Sequence, residues 1–210
     1  PLIFALWSSS LAFGQCEADV NGNAIIDNDD LLILLADYGS TCFNAAWDDP
    51  VISEIHYNPS TQQGADSDYE FVELINPHPF AIDVSGWRFA DGIDALFPSG
   101  TLIAAGGFLL TVNDTATYRD MLGPFVTLIP WNGSSSLHNS GETLRLIRPD
   151  GTAGDLVTYS DTDGWTNEVD GAGASLEWKG PGWDNAAPEA WVGSNALGGS
   201  PGTENSTWAD

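Results

Sequence analysis

Two short runs constrain the fold of this 210-residue chain more than anything else in it. VISEIHY at 51–57 and YEFVELI at 69–75 are rich in β-branched and aromatic residues, and Asn-Pro follows each of them (Asn58-Pro59 and Asn76-Pro77). Proline has no backbone N–H for a ladder and restricts the residue before it, so each run ends as a strand at that dipeptide. A polar, acidic loop at 60–68 lies between them, and the stretch returns through Ser85-Gly86 to Trp87. A chain that opens its main domain this way is building sheet.

The same punctuation continues downstream. Strands are expected at 81–84 and 87–90 around Ser85-Gly86, and at 96–98, 101–103 and 107–112, divided by Ser99-Gly100 and Gly106-Gly107. One brief helix is expected at 115–122, then strands at 125–130, 143–148, 155–160 and 174–179. Pro149-Asp150-Gly151 predicts a hairpin turn, because Pro presets φ and Gly accepts a positive one. The run from 195 to 210 is rich in Gly, Ser and Pro and is expected to be loose. Hydrophobic residues make up 42% of the chain and there are 23 glycines, which suits many short strands around a real core. The regular spacing predicts a mainly β protein, a sandwich of Greek-key type over 51–205 with a loose end at 206–210.

The first 15 residues, PLIFALWSSSLAFGQ, form an apolar run too short to span a bilayer. They have the character of the core and cleavage region of a secretory signal peptide, with Ala12 and Gly14 at the small-residue positions before Gln15. The absent initiator Met and basic flank imply that residues are missing upstream. The competing reading is a buried strand or helix.

Residues 16–42, CEADVNGNAIIDNDDLLILLADYGSTC, carry the most specific short motif. Asp19, Asn21, Asn23, Asp27 and Asp30 occupy positions 1, 3, 5, 9 and 12 of a Ca2+ loop, with the Ile25 carbonyl at position 7. Ca2+ takes six to eight hard oxygen ligands, and this spacing turns them toward one centre. A helix follows and ends at Gly39, a residue suited to a helix stop. The segment resembles one dockerin repeat, an EF-hand-like calcium module. It departs from the pattern in having Ala24 where Gly is expected and in lacking a second repeat, so cohesin binding does not carry over. An acidic turn without metal is the alternative. Cys16 and Cys42 bracket the unit; in an exported protein they pair, and in a cytosolic one they stay free thiols. Residues 43–50 read as a linker.

The formal charge is −25, from 30 acidic and 5 basic residues. Such a surface repels nucleic-acid phosphates and anionic lipids. It fits an exported protein in a Ca2+-rich medium, and solubility alone is the plainer account of it. Glu54, Glu70 and Glu73 lie on or beside the two opening strands, where neighbouring strands can bring carboxylates together as glycosidases require. A solvated face or loop hydrogen bonds are the plainer expectation, and no nucleophile elbow, P-loop or zinc spacing accompanies them. His56, His78 and His138 are expected to be surface or hydrogen-bonded residues. Asp66 and Asp68, and Asp161, Asp163, Asn167 and Asp170, read as polar loops. Of the nine tryptophans, Trp87 and Trp178 are expected in the core, while Trp165, Trp183 and Trp191 are candidate ligand contacts.

ISEIHYNP, YEFVELINP, IDVSGWRFADG, FPSGTLIAAGGFLLT, ASLEWKG and GGSPGTEN follow one another in an order that resembles a lamin-tail domain in its secreted bacterial form. The resemblance implies an immunoglobulin-like β-sandwich and no catalytic residues. It implies an accessory module of exported or surface proteins with a binding or adhesive role; joined with the Ca2+ loop, the signal-like segment and the tryptophans, the expectation is a secreted or cell-surface, non-enzymatic binding module with a protein or carbohydrate partner, Ca2+ as cofactor and no membrane span in the mature chain. The alternative is a carbohydrate-binding or accessory module of an exported hydrolase whose catalytic domain lies elsewhere.

Overall fold

A computed structural model describes residues 49–166 and 169–208. The expected signal segment 1–15, the Ca2+ ligands Asp19, Asn21, Asn23, Ile25, Asp27 and Asp30, the cysteines Cys16 and Cys42, most of the linker and Asn167 lie outside the described residues.

The strand β1 (Val51–His56) is the hub, and it is buried along almost all its length. It pairs antiparallel with β2 (Phe71–Ile75), which the one-turn helix α1 (Asp66–Tyr69) precedes. Four short strands follow: β3 (Ile82–Asp83), β4 (Arg88–Phe89), β5 (Ala95–Leu96) and β6 (Leu102–Ile103). Next come β7 (Phe108–Val112), the helix α2 (Thr115–Leu122), β8 (Thr127–Pro130), β9 (Gly141–Ile147) and β10 (Ala153–Ser160). The chain closes with β11 (Leu176–Trp178) and β12 (Trp191–Gly193). A six-stranded sheet runs β12-β11-β1-β2-β7-β8, a four-stranded sheet runs β10-β9-β4-β5, and β3 pairs with β6. Only β7 and β8 pair in parallel among these ladders.

The inner faces of the sheets share one core. Ile52, Ile55, Val72, Leu74 and Leu109 of the larger sheet pack with Phe89, Leu144, Leu146, Val157 and Tyr159 of the smaller, and Trp87 and Trp178 join them as expected. This is the mainly β, immunoglobulin-like sandwich that the strand spacing and the resemblance predict. The hairpin at Pro149-Asp150-Gly151 is present, with the Arg148 N–H donating to the Thr152 carbonyl at 2.9 Å and Gly151 at a φ of 89°. Asp155 ties the two sheets together: its carboxylate accepts from the Ile52 N–H at 2.7 Å and from Asn185 Nδ2 at 2.8 Å.

The larger sheet also buries its other face. A bulge at Ile52/Glu54 in β1 turns Glu54 and His56 outward, level with Glu73 and Phe71. Phe71, Leu110, Val112 and Tyr118 form a second, smaller core beneath α2. The helix starts where Asp114 accepts from the Ala116 and Thr117 N–H groups, the N-cap arrangement that frees the first turn from orphan donors.

The remainder of that face is covered by the Gly/Ser-rich segment read from composition as loose. The structure corrects this expectation through Trp208. Asn195 donates to Ser206 from both its backbone and side chain, at 2.8 and 2.7 Å. Asn205 Nδ2 donates to the Ser53 and Trp178 carbonyls at 2.9 and 2.8 Å, and Trp208 Nε1 reaches the Trp178 carbonyl. Composition describes a segment's tendency in isolation, and here the sheet supplies its hydrogen-bond partners.

Candidate functional site

Glu54, Glu73 and Glu177 stand side by side across three neighbouring strands. Glu54 is the register partner of Glu177 on one side and of Glu73 on the other. All three are 0% exposed, on the outer face and beneath residues 199–207. Glu54 accepts from Ser175 Oγ and from the Ser200 N–H at 2.9 Å. Glu73 accepts from Ser53 Oγ at 2.9 Å and from the Gly202 N–H at 2.6 Å. Glu177 takes Ser200 Oγ at 2.8 Å, Ser206 Oγ at 2.9 Å and the Thr207 N–H at 3.1 Å.

One hydroxyl is shared unequally between two of the carboxyls. Ser200 Oγ lies 2.8 Å from Glu177 Oε1 and 3.4 Å from Glu54 Oε2, and a serine has a single hydrogen to donate. That hydrogen goes to the nearer Glu177 oxygen, and the longer contact leaves Glu54 Oε2 weakly held, an arrangement compatible with a neutral Glu54 carboxyl. Burial pushes Glu54 up to about 8, and the nearby Glu177 adds to the shift. Burial, with Glu54 beside it, also raises Glu73 well above the ordinary carboxyl range.

This arrangement holds backbone N–H and hydroxyl groups against buried carboxyls, and burial biases Glu54 and Glu73 toward their neutral forms. It offers no entrance to a substrate, since every carboxyl oxygen is covered. Among the described residues no set of three or more His, Cys, Asp or Glu side chains is arranged to hold a metal ion. Glu177 was not singled out by sequence reasoning, although the alternation Ser175-Leu176-Glu177-Trp178 is the period-two pattern of a strand with two occupied faces.

The other candidates are scattered. Glu70 is buried elsewhere, accepts from the Leu137 N–H at 3.1 Å, and is raised to about 7 by burial. His56 Nδ1 meets the Tyr69 carbonyl at 2.9 Å, and burial lowers it to about 4. His78 is buried and stacks on Phe80 with ring centroids 5.2 Å apart, whereas His138 is exposed and bonds to Ser140. Asp66 and Asp68 lie on α1. Asp161 and Asp163 sit in a loop, and Asp170 accepts from Asn58 Nδ2.

The aromatic contact set needs correcting. Trp165 and Trp191 are 8% and 4% exposed and pack against each other at 5.9 Å. Trp191 is drawn inward because its Nε1 donates to the Asn185 carbonyl at 2.7 Å, beside the Asp155 tie. Trp183 stays 48% exposed, with the Lys179 ammonium 4.8 Å from its ring centroid.

The outer face of the smaller sheet is different in kind. Arg88 on β4 faces Leu96 on β5, Arg145 on β9 faces Leu156 on β10, and Thr143 faces Thr158. Arg88, Leu96, Arg145, Leu156 and Thr158 are all exposed. Two of the chain's five basic residues thus share one face with two leucines. Arg145 has a long ion pair to exposed Asp91 at 3.9 Å, a weakly held contact in solvent. Arg88, Asp91, Ile93, Asp94 and Ser135 line an open pocket of about 450 Å³ at its margin.

Among the described residues no helix is long and apolar enough to cross a membrane. A family model described as Lamin Tail Domain matches residues 44–161. No curated protein matches the chain.

Proposed function

The chain belongs to the lamin tail domain family, and from that premise we propose that it is an exported, non-enzymatic interaction module that docks an acidic protein segment on the outer face of its smaller sheet. The observation that carries this reading is the contrast between the two outer faces. The larger sheet's outer face is closed by α2 and residues 199–208, and its carboxyls are committed to hydrogen bonds. The smaller sheet leaves Arg88 and Arg145 in solvent between Leu96 and Leu156.

Charge supports this choice of occupant. In a chain of net charge −25, two guanidinium groups on one uncovered face are where a carboxylate-rich segment meets attraction, and the leucines offer it apolar contact. A synthetic extended peptide of alternating Glu and Leu is the probe. Titration followed by amide NMR should shift resonances on β4, β5, β9 and β10. The double substitution Arg88→Glu/Arg145→Glu should weaken binding by on the order of tenfold or more. Shifts spread evenly over the surface, or an unchanged affinity in the double variant, would reject the docking face.

The N-terminal unit completes the reading. Asp19, Asn21, Asn23, Asp27 and Asp30, with the Ile25 carbonyl, are proposed to hold Ca2+, and Cys16 and Cys42 to close the unit by a disulfide in an oxidising compartment. The closed loop would contribute about 3–4 kcal/mol in the chain-entropy model. Calorimetry should detect Ca2+ uptake by the wild type and its loss in Asp19→Ala/Asp30→Ala. Equal heats from both proteins would remove Ca2+ from the proposal. A second reading, contact with a carbohydrate, has Trp183 in its favour as the exposed member of the aromatic set. Glycan binding lost on Trp183→Ala would support it over the peptide reading.

A further inference from the structure

Residues 199–208 cover the acid row with a segment that, apart from Pro201 and Trp208, is glycine or polar: Gly-Ser-Pro-Gly-Thr-Glu-Asn-Ser-Thr-Trp. Its attachment comes in two parts. The first half, 199–204, is held by N–H groups aimed into carboxyls, Ser200 to Glu54 and Gly202 to Glu73. The second half is held partly by Glu177, through Ser206 Oγ and the Thr207 N–H, and partly by groups that do not titrate. Asn205 bonds to the Ser53 and Trp178 carbonyls, and Trp208 lies edge-on to Trp178 with ring centroids 6.2 Å apart.

We propose that 199–204 is a proton-locked strap, seated on the sheet while Glu54 and Glu73 are neutral and lifted about the Asn205–Trp208 anchor when the row ionises. Neighbouring strands lie about 4.8 Å apart, so a fully charged row would set three carboxylates at that spacing away from water. Among the described residues, the hydrogen-bond partners of the row are hydroxyls and backbone N–H groups, and no Lys or Arg side chain is one of them. Admitting water is the way to relieve the repulsion, and the strap is what excludes it.

Two neighbouring groups, His56 and Tyr118, do not compete in the relevant range. His56 on β1 is held down at about 4 by burial, and Tyr118 on α2 is pushed well above its ordinary value. Glu177 on β11 completes the row, and Glu204 on the strap is exposed. Burial sets Glu54 at about 8 and keeps Glu73 well above the ordinary range, which places the onset of release between about pH 7 and 9.

Hydrogen exchange of the full chain at pH 6 and pH 9, with rates corrected for intrinsic base catalysis, tests this directly. Protection at 199–204 should fall at least tenfold relative to the amides of β9 and β10, which lie on the other sheet. In Glu54→Gln/Glu73→Gln that differential fall should disappear. Strap protection that tracks β9 and β10 through pH 9 in the wild type would overturn the proposal, whatever the variant's folding. An equal fall in a folded double variant would overturn it as well.

Discussion

Gly199→Ala is expected to destabilise the domain by on the order of 3 kcal/mol or more and to unseat the residues that follow it. Gly199 has a φ of 75°, and a Cβ there would overlap Glu54 Oε1 and Ser175 Oγ. Neither neighbour can retreat: both are buried and bonded to each other, and Glu54 also holds the Ser200 N–H. The left-handed backbone alone costs an alanine about 1–2 kcal/mol. The rest comes from breaking buried hydrogen bonds, at about 1–3 kcal/mol for each group left without a partner. Gly198→Ala is the matched control. Its φ is 82°, but the nearest atom to an added Cβ is the end of the Gln63 side chain at 3.4 Å. Urea denaturation of the two variants should separate backbone strain from overlap. Equal losses would show that the close approach to Glu54 is unimportant.

Stability is expected to fall as pH rises from about 6.5 to 9, against the habit of acid-labile proteins. The sign follows from the proton count. Glu54 sits at about 8 in the folded chain against an ordinary 4.5, so between those values the folded state keeps a proton that the unfolded state has released. Its contribution is fully present below 4.5 and is lost as pH passes through 8. Glu70, raised to about 7, and Glu73 act in the same direction. His56 acts oppositely: held at about 4 against an ordinary 6.5, it favours folding as pH rises through that interval. Three raised carboxyls outweigh one lowered histidine, so stability falls with pH from about 4.5 through the neutral range, by on the order of a few kcal/mol. Urea midpoints at pH 6.5 and 9 measure that loss. Glu73→Gln should flatten it, because an amide fills the site and never ionises, whereas general repulsion in a highly acidic chain would leave the slope unchanged. A midpoint that rises toward pH 9 would contradict the burial argument.

Much of this fold was legible because its signals are local. Asn58-Pro59 and Asn76-Pro77 follow β1 and β2, Pro149-Asp150-Gly151 turns β9 into β10, and the helix at Thr115–Leu122 starts at Asp114. The elements that escaped depend on distant partners. The three-residue β12 is too short to show a period, and it forms because β11 offers an edge. Trp165 and Trp191 have the same side chain as exposed Trp183, and only the Asn185 carbonyl and their mutual packing show that they turn inward. Glu54 and Glu73 were visible as acids on strands. Their chemistry became clear only with Glu177 alongside and a Gly/Ser-rich segment above them, more than 120 residues away from each.

The clasp between β1 and residues 199–208 also bears on how the domain is made. β1 is central in its sheet, yet Ser200 lies 146 positions after Glu54 and Asn205 lies 152 after Ser53. Contacts of such sequence separation form slowly, because the loop between them must close first. The domain therefore cannot finish folding until nearly its whole length has emerged from the ribosome. On the exported reading proposed above, that delay would keep the chain in the open state that threading through a translocase requires, with commitment to the final form only after residues 199–208 arrive.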